Sequence, residues 1–313
     1  MKSPPVVYVA LALVVTWFIW GTTYLAIKIA LTGFSPLTLS AVRFLLAGML
    51  LCAVKGRCRP TGRQLRHSAV VGTLLFVLSM GGVAAAEQYV DSSTAALVIS
   101  TVPLWSSLLH TSSGGRPHPL EWAGVAGGVL GVFVLFLGSH RTGSSAALLV
   151  LMVAAVSWSY GSFLDRRYPS DSDASLQMIT GGVLLLVASV LHGDLTALRA
   201  PHWDAALALG YLVVFGSVVV MTAYRHLSRN APPSLATSYA FVSPVVAVLS
   251  GALLLGERLT RQSLMSCALV ALAVVCTGWG SRRNSARLRP APSAPSHRER
   301  SASKAPHNVD LGR

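Results

Sequence analysis

The chain has 313 residues, of which 53% are apolar and only 12% charged, whereas about 25% of residues are charged in an ordinary soluble domain. This composition excludes an ordinary soluble globular protein, and the apolar residues form runs about as long as a bilayer is thick, which indicates a polytopic membrane protein. The formal charge of +14 does not indicate nucleic-acid binding, because eight of the 25 Lys and Arg residues lie in the tail between Arg282 and Arg313. Four cysteines without C-x-x-C spacing are predicted to be reduced.

Hydropathy predicts ten membrane-spanning helices, and hence an all-α integral membrane fold. Two of the spans are less regular than the others, because Arg43 interrupts the second and the seventh is short and rich in glycine. The predicted spans are residues 6–27, 36–54, 68–87, 92–112, 121–139, 145–164, 174–191, 205–225, 233–255 and 262–280.

Charge asymmetry predicts the orientation of these spans. With ten spans and a cytoplasmic N-terminus, 19 Lys and Arg residues lie on the inside and five on the outside, with Arg43 within the membrane. Cytoplasmic loops are enriched in Lys and Arg, so both termini are predicted to be cytoplasmic. The basic tail, residues 281–313, is rich in Pro, Ser, Ala and Arg and is predicted to be disordered.

The sequence repeats itself. Three pairs of short motifs recur at similar displacements along the chain: Trp20-Gly21-Thr22 with Tyr160-Gly161-Ser162, Pro103 with Pro244, and Ala47-Gly48 with Gly181-Gly182. The displacements predict two five-helix repeats, residues 1–139 and 140–280. An odd number of helices in each repeat places the second repeat upside down in the membrane, and such inverted repeats are typical of secondary transporters.

Pro103 and Pro244 are predicted to interrupt the fourth and ninth spans, because proline removes a helical hydrogen bond. Interrupted helices at matching positions of two repeats are a sequence indication of a central binding site. The alternative is a structural kink with no ligand nearby.

Several of these motifs together resemble those of a known family. The motifs are Trp-Gly-Thr in the first span, Val-Arg-Phe in the second, Thr-Val-Pro-Leu-Trp in the fourth, and Ser-Tyr-Ala-Phe-Val-Ser-Pro-Val-Val-Ala with Gly-Glu-Arg-Leu in the ninth. Over about residues 6–280 their order resembles the EamA family of the drug/metabolite transporter superfamily, in particular its YedA-like inner-membrane branch. The chain departs from the family pattern once, with Gly114-Gly115-Arg116 after the fourth span, so Glu257 has no counterpart in the first repeat.

The resemblance implies a carrier in the bacterial inner (plasma) membrane, often an exporter of amino acids, metabolites or drugs, with a central cavity between the repeats and no cofactor. It implies a small-molecule substrate and the lipid bilayer as partners.

Aromatic and hydroxyl side chains are the candidate substrate contacts. Trp17, Trp20, Tyr24 and Lys28 share one face of the first span, which suits an apolar or aromatic substrate; interior packing is the alternative. The full set of candidates is Trp20, Tyr24, Ser100, Pro103, Tyr160, Tyr239, Ser243 and Pro244.

Arg43 is predicted to face the protein interior, because a lipid-facing arginine would cost roughly 2.5–3.5 kcal/mol on insertion scales. Arg43 then needs a partner, and Glu87, followed by Asp91, is the nearest carboxylate by depth in the membrane. Glu87 is also the candidate acid for proton coupling. The alternatives are a structural role for Arg43 and a solvated interfacial position for Glu87. His110 is predicted to be packed or interfacial.

Gly124, Gly127, Gly128 and Gly131 give overlapping G-x-x-x-G spacings in the fifth span, which indicates close helix packing, either within the fold or in a homodimer. A channel or scaffold is the alternative to a carrier. The motifs of common membrane-embedded hydrolases are absent from the sequence, so an enzyme is not expected.

Overall fold

The structure, a computed structural model, describes residues 6–56, 60–112, 119–138, 145–169, 173–194, 202–230, 239–256 and 261–287. These ranges contain helices and no strand. The helices are α1 (Val6–Ala30), α2 (Pro36–Lys55), α3 (Gly62–Gly72), α4 (Gly82–Ala86), α5 (Ser92–Ile99), α6 (Val102–Ser112), α7 (Pro119–Gly138), α8 (Ser145–Arg167), α9 (Ala174–Leu191), α10 (Trp203–Val213), α11 (Val220–Asn230), α12 (Tyr239–Leu254) and α13 (Arg261–Arg287).

Within the part of the chain that the structure describes, six helical segments are long and apolar enough to cross a membrane. They correspond to the predicted spans 1, 2, 3, 6, 7 and 8: Val7–Ala30, Pro36–Lys55, Gly62–Ala86, Ser145–Arg167, Ala174–Leu191 and Trp203–Ser228. Shorter apolar helices cover Val245–Leu254 and Leu264–Ala273. Large apolar side chains such as Leu191 and Leu253 point outward, being 82% and 80% exposed, as expected for surfaces that contact lipid. The chain is therefore an all-α, multi-pass membrane protein, and the count of ten spans stays a prediction.

The fourth span is interrupted as predicted. Helix α5 ends at Ile99 and α6 begins at Val102, with Ser100 and Thr101 between them. Pro103 is the second residue of α6, where an amide proton would have no partner within the helix and proline is tolerated. The Thr101 hydroxyl donates to the Val98 carbonyl oxygen at the break.

The predicted interruption at Pro244 is wrong, because α12 continues from Tyr239 to Leu254 through this residue. Proline removes its own amide donor from the helical ladder, and its ring crowds the carbonyl oxygen four residues earlier. Such a residue can kink a helix without ending it, and Pro244 lies within the described α12.

Two π-helical stretches occupy matching positions in the two repeats. Thr73–Gly81 joins α3 to α4, and Val214–Val219 joins α10 to α11. The interval between their first residues is the same as the interval between Pro103 and Pro244. A π-helical stretch widens the helix locally and is frequent at functional sites.

Helices α2 and α9 cross in a reciprocal contact. A methyl group on Gly48 would lie 3.0 Å from the Ile179 amide nitrogen, and one on Gly182 would lie 2.9 Å from the Leu45 amide nitrogen. The interval from Gly48 to Gly182 equals the interval from Leu45 to Ile179. The crossing therefore has the local two-fold symmetry that an inverted repeat produces, while the repeat boundary near residue 139 stays a prediction.

A salt bridge joins these two helices at one end, where Lys55 Nζ lies 2.7 Å from Asp173 Oδ1. Asp173 precedes α9 and caps it by accepting a hydrogen bond from the Ser175 amide. Burial alone would raise the pKa of Asp173, but the hydrogen bonds from Lys55 and Ser175 outweigh burial and lower the pKa below its ordinary value.

The glycine face of the fifth span packs within the fold. Helix α7 lies against α13, and a methyl group on Gly127 would meet the Ala273 side chain at 3.5 Å. Gly124 and Gly131 are buried. A homodimer is therefore not needed to cover this face.

The prediction of reduced cysteines is wrong at Cys52, which is bonded in a disulfide. Cys52 lies near the carboxyl end of α2 rather than deep in a span. Cys267 and Cys276 are free, as predicted.

The α2–α9 crossing predicts a difference between two glycine substitutions. Gly182→Ala places a methyl group against the Leu45 backbone and is expected to lower stability by about 1–3 kcal/mol, as overpacking does. Gly210→Ala is the control, because no described residue beyond its own helical turns comes within 4 Å of the added methyl group. Melting temperatures of the purified proteins in detergent measure both effects; equal melting temperatures would contradict the close crossing.

Candidate functional site

A cavity of about 650 Å³, counting its part open to solvent, lies between the helices of the two repeats. We call it the central cavity. Its described walls are mainly apolar and aromatic, with hydroxyl side chains and the Arg43 guanidinium. Six of the predicted site residues line it: Trp20, Tyr24, Arg43, Ser100, Tyr239 and Ser243.

Four aromatic side chains form one buried cluster, the aromatic partition: Trp20, Trp158, Tyr224 and Tyr239. The Trp20 ring is central, with its centroid 4.3 Å from that of Tyr239, 5.0 Å from that of Tyr224 and 5.8 Å from that of Trp158. The Trp158 and Tyr239 contacts are edge-to-face, the arrangement that the aromatic quadrupole favours.

The Trp20 indole nitrogen is buried and has no hydrogen-bond acceptor among the described residues. Buried donors are normally satisfied in native structures, so a missing acceptor needs an explanation. Trp20 also lines the central cavity, and a solute or water with an acceptor group would satisfy this donor.

Arg43 faces the interior, as predicted, and is only 4% exposed. Its guanidinium donates to the Ser217 hydroxyl at 2.9 Å and to the Gly216 carbonyl oxygen at 2.7 Å, and it lies 5.0 Å from the centre of the Phe44 ring. Glu87, the nearest candidate carboxylate by depth, shares no hydrogen bond with Arg43 among the described residues. The widened π-helical turn of the eighth span supplies backbone and hydroxyl acceptors instead, and Glu87 acts on Arg43 electrostatically.

Glu87 is fully buried, so the interfacial alternative for this residue is wrong. It lies close enough to Tyr24 and Arg43 to act on both electrostatically. Lys28 does not reach the cavity: its ammonium donates to the carbonyl oxygens of Glu87 and Val90, both at 2.7 Å. Through these two hydrogen bonds Lys28 links the carboxyl end of α1 to the connection between α4 and α5.

Tyr160 does not lie in the central cavity, contrary to prediction. It is 43% exposed, and Trp158 contributes the aromatic ring of α8 instead. Two residues correspond to about 200° around a helix, so the two side chains point to opposite faces of α8. Pro103 is buried but does not line the cavity, and the side chains of Pro244, His110, Glu257 and Arg258 lie outside the described residues.

A second cavity of about 850 Å³ was not predicted from the sequence, and we call it the polar cavity. Trp158 and Tyr224 of the aromatic partition form one wall. Its polar lining consists of Ser162, Asp165, Arg166, Gln177, Arg225 and Ser228. The sequence does contain an indication of this cavity. Trp158, Ser162 and Asp165 are spaced four and seven residues apart along α8, so they share one helix face.

The helix ends place the two cavities at opposite ends of the bundle. The central cavity reaches Ile27, close to the carboxyl end of α1. The polar cavity is bounded by Asp165 and Arg225, near the carboxyl ends of α8 and α11. The amino-terminal end of α1 packs on α11 at this second end, through Leu13 and Leu227. The aromatic partition therefore lies between the two cavities.

Comparison with known proteins gives the same family twice along the chain. The model of the EamA-like transporter family matches residues 7–137 and 141–279. The inner membrane transporter YedA of Escherichia coli (strain K12) is 39% identical over 277 residues, covering 86% of this chain and 90% of YedA.

More distant relatives carry names that describe export. A probable amino-acid metabolite efflux pump of the same organism is 26% identical and covers 84% of this chain and 92% of its own length. A probable terminal-alkyne amino-acid exporter of Streptantibioticus cattleyicolor is 27% identical and covers 92% and 97%. One solved crystal structure is 19% identical with a TM-score of 0.63, covers 88% of this chain and 98% of its own, and shows a likeness of fold alone.

The geometry around Arg43 predicts that lysine cannot replace it. A lysine ammonium is a point charge and cannot reproduce the fork that reaches both oxygens. Arg43→Lys is expected to lower stability by about 1.5–3 kcal/mol, the contribution of a hydrogen bond to a charged group. Arg167→Lys, at an exposed position, is the control. Thermal unfolding in detergent measures the difference, and an unchanged melting temperature in Arg43→Lys would rule out the proposed fork.

Proposed function

We propose that this chain is a secondary carrier that works by alternating access. It belongs to the EamA-like transporter family and is a multi-pass membrane transporter of small solutes. In this proposal one repeat rocks against the other and exposes the substrate site first to one side of the membrane and then to the other. We propose the bacterial inner membrane as its location, with both termini in the cytoplasm, because the Lys and Arg residues are concentrated on that side.

The observation that carries this proposal is the aromatic partition between two cavities. An open pore would join them, whereas here the four rings of the partition fill the space between them, and even Tyr239, the most exposed of the four, is only 9% exposed. A carrier needs, in each of its resting states, a barrier between the cavity at one end of the bundle and the cavity at the other end. Displacing these rings would connect the site with the other side.

The lining of the central cavity supports a small organic substrate with a flat apolar part. Aromatic rings bury such a part, and the hydroxyls of Ser100 and Ser243 with the Arg43 guanidinium offer contacts for polar groups. Amino acids, metabolites and drugs all include such compounds. We propose export as the direction, in keeping with the names of the two more distant relatives.

Glu87 is the proposed coupling acid. It is fully buried and lies near two groups that line the cavity, Tyr24 and Arg43. Protonation of a carboxylate in this position would change the electrostatic attraction on Arg43, and intramembrane carboxylates in transporters often serve as proton relays.

The test begins with binding. The purified protein is screened by melting temperature against amino acids, nucleosides, sugar phosphates and cationic drugs, because a ligand bound only by the folded state raises stability. The compound that stabilises most is then followed as saturable flux into proteoliposomes.

Trp20→Ala is expected to abolish that flux, because it removes the ring at the centre of the aromatic partition. Tyr160→Ala is the matched control, since Tyr160 points away from the central cavity, and it is expected to transport normally. Both proteins must insert to similar levels. Normal saturable flux in Trp20→Ala would contradict the proposed site, and flux that does not saturate in the wild-type protein would favour a channel.

A further inference from the structure

The polar cavity contains charges that the proposed transport cycle does not use. Two arginines and one aspartate line it among the described residues, so these side chains carry a net positive charge. Arg225 lies 3.4 Å from Asp165 and donates to the Gln177 side-chain oxygen at 3.0 Å. Gln177 also donates to Asp165. One arginine, one aspartate and one glutamine thus form a single hydrogen-bonded group.

Arg166 lies beside this group, and its charge is the net positive charge of the lining after Arg225 pairs with Asp165. Its guanidinium donates to the Tyr224 hydroxyl at 3.3 Å, and within the described part of the chain no carboxylate lies within salt-bridge distance of it. Guanidinium has five donors in a planar fork that matches a carboxylate. The cavity therefore offers a partly exposed cation beside an ion pair that is already formed.

A second polar group in the cavity also lacks a partner. The Ser228 hydroxyl is buried and has no hydrogen-bond partner among the described residues, although Ser228 lines the cavity. Buried hydroxyls are usually satisfied, by protein or by a bound molecule. Ser228 follows Arg225 by three residues, so the two share a face of α11.

The rest of the wall is apolar. Leu75, Met221 and the rings of Trp158 and Tyr224 surround the polar groups. Such a wall favours the burial of a ring or a hydrocarbon group and disfavours a small hydrated ion. A ligand that fits both parts of the lining carries an anionic group at one end and an aromatic group at the other.

We infer that the polar cavity is a binding site for a small aromatic carboxylate, whose carboxylate lies at Arg166 and whose ring lies against Trp158 and Tyr224. This site is distinct from the central cavity and lies on the other side of the aromatic partition. The inference does not require that the bound compound be transported.

An anionic lipid headgroup has related chemistry, because a phosphate also binds arginine bidentately. The cavity favours a carboxylate with a ring, since its aromatic wall lies between helices α8 and α11 and extends to the aromatic partition. The experiment includes a lipid arm to distinguish the two sources.

The test uses the full-length protein in nanodiscs of phosphatidylcholine, titrated with phenylacetate in a calorimeter at low ionic strength. Phenylethylamine is the probe of opposite charge and similar shape. Phenylacetate is expected to bind and phenylethylamine to bind at least about tenfold more weakly, because the net charge of the lining is positive. No binding of phenylacetate, or equal binding of the two probes, overturns the inference.

Two variants and one control locate the site. Arg166→Gln is expected to weaken phenylacetate binding about tenfold, as the loss of a charge-assisted hydrogen bond does. Arg167→Gln removes the same charge from the next residue, which does not line the cavity, and is expected to leave binding unchanged. Equal losses in both variants would show attraction to the general surface charge and would overturn the site.

Asp165→Asn is expected to strengthen phenylacetate binding, since it removes the acid from the described lining. A gain of affinity cannot result from misfolding, so this variant keeps the test valid if the arginine variant is unstable. A weaker binding in Asp165→Asn overturns the inference.

The lipid arm repeats the titration in nanodiscs that contain phosphatidylglycerol. Unchanged phenylacetate affinity supports the carboxylate site, whereas loss of phenylacetate binding would assign the cavity to the lipid headgroup and overturn the inference. None of these measurements depends on flux, so failure here leaves the proposed carrier function standing, and failure of the flux assay leaves this binding site standing.

Discussion

Lipid offers no hydrogen bonds, so a polypeptide that crosses a bilayer must satisfy its own backbone or place the irregular parts where protein or water covers them. The irregular backbone of this protein follows that constraint. The break at Ser100 opens onto the central cavity, and Ser79, within the first π-helical stretch, also lines it. In the second stretch the Gly216 carbonyl oxygen accepts a hydrogen bond from Arg43. The candidate site is therefore built where the helices depart from regularity.

Arg43 connects this constraint to the stability of the fold. An arginine facing lipid would be costly, and the carbonyl oxygens inside a regular α-helix already accept backbone amide protons. The π-helical stretch of the eighth span supplies one carbonyl and one hydroxyl oxygen at hydrogen-bond distance. One side chain of the second span thus satisfies the irregular backbone of the eighth, and the first repeat holds the second in place.

Much of this arrangement is predictable from sequence, because the relevant signals are local or periodic. The long apolar runs predict the spans, the displaced motifs predict the repeat, and a proline predicts the break before Pro103. The α-helical period places Trp20 and Tyr24 on one face of α1, and the structure confirms that both line the central cavity. Apart from the repeat, which rests on the comparison of distant motifs, each of these properties depends on residues within a few turns of one another.

The remaining features depend on tertiary contacts. The partner of Arg43 lies in the other repeat, at Gly216, and hydropathy depth alone favours Glu87. Which of Tyr160 and Trp158 faces the central cavity depends on how α8 is rotated about its axis. The Trp-Gly-Thr motif of the first repeat suggests Tyr160, but it does not determine that rotation. The arginines of the polar cavity are also among the residues from which the membrane orientation is predicted. That they line one cavity becomes visible only when α8 and α11 are packed together.

In the proposed carrier, the aromatic partition separates two cavities that open at opposite sides of the membrane. This separation is tested by single cysteines at Ser100, in the central cavity, and at Ser162, in the polar cavity, in a variant without the native cysteines. A membrane-impermeant maleimide is added to right-side-out and to inverted vesicles, and the labelled fraction is measured. Each cysteine is expected to react from one side only, and the two sides are expected to differ. Labelling of both cysteines from the same side would contradict this separation and would indicate a continuous pore.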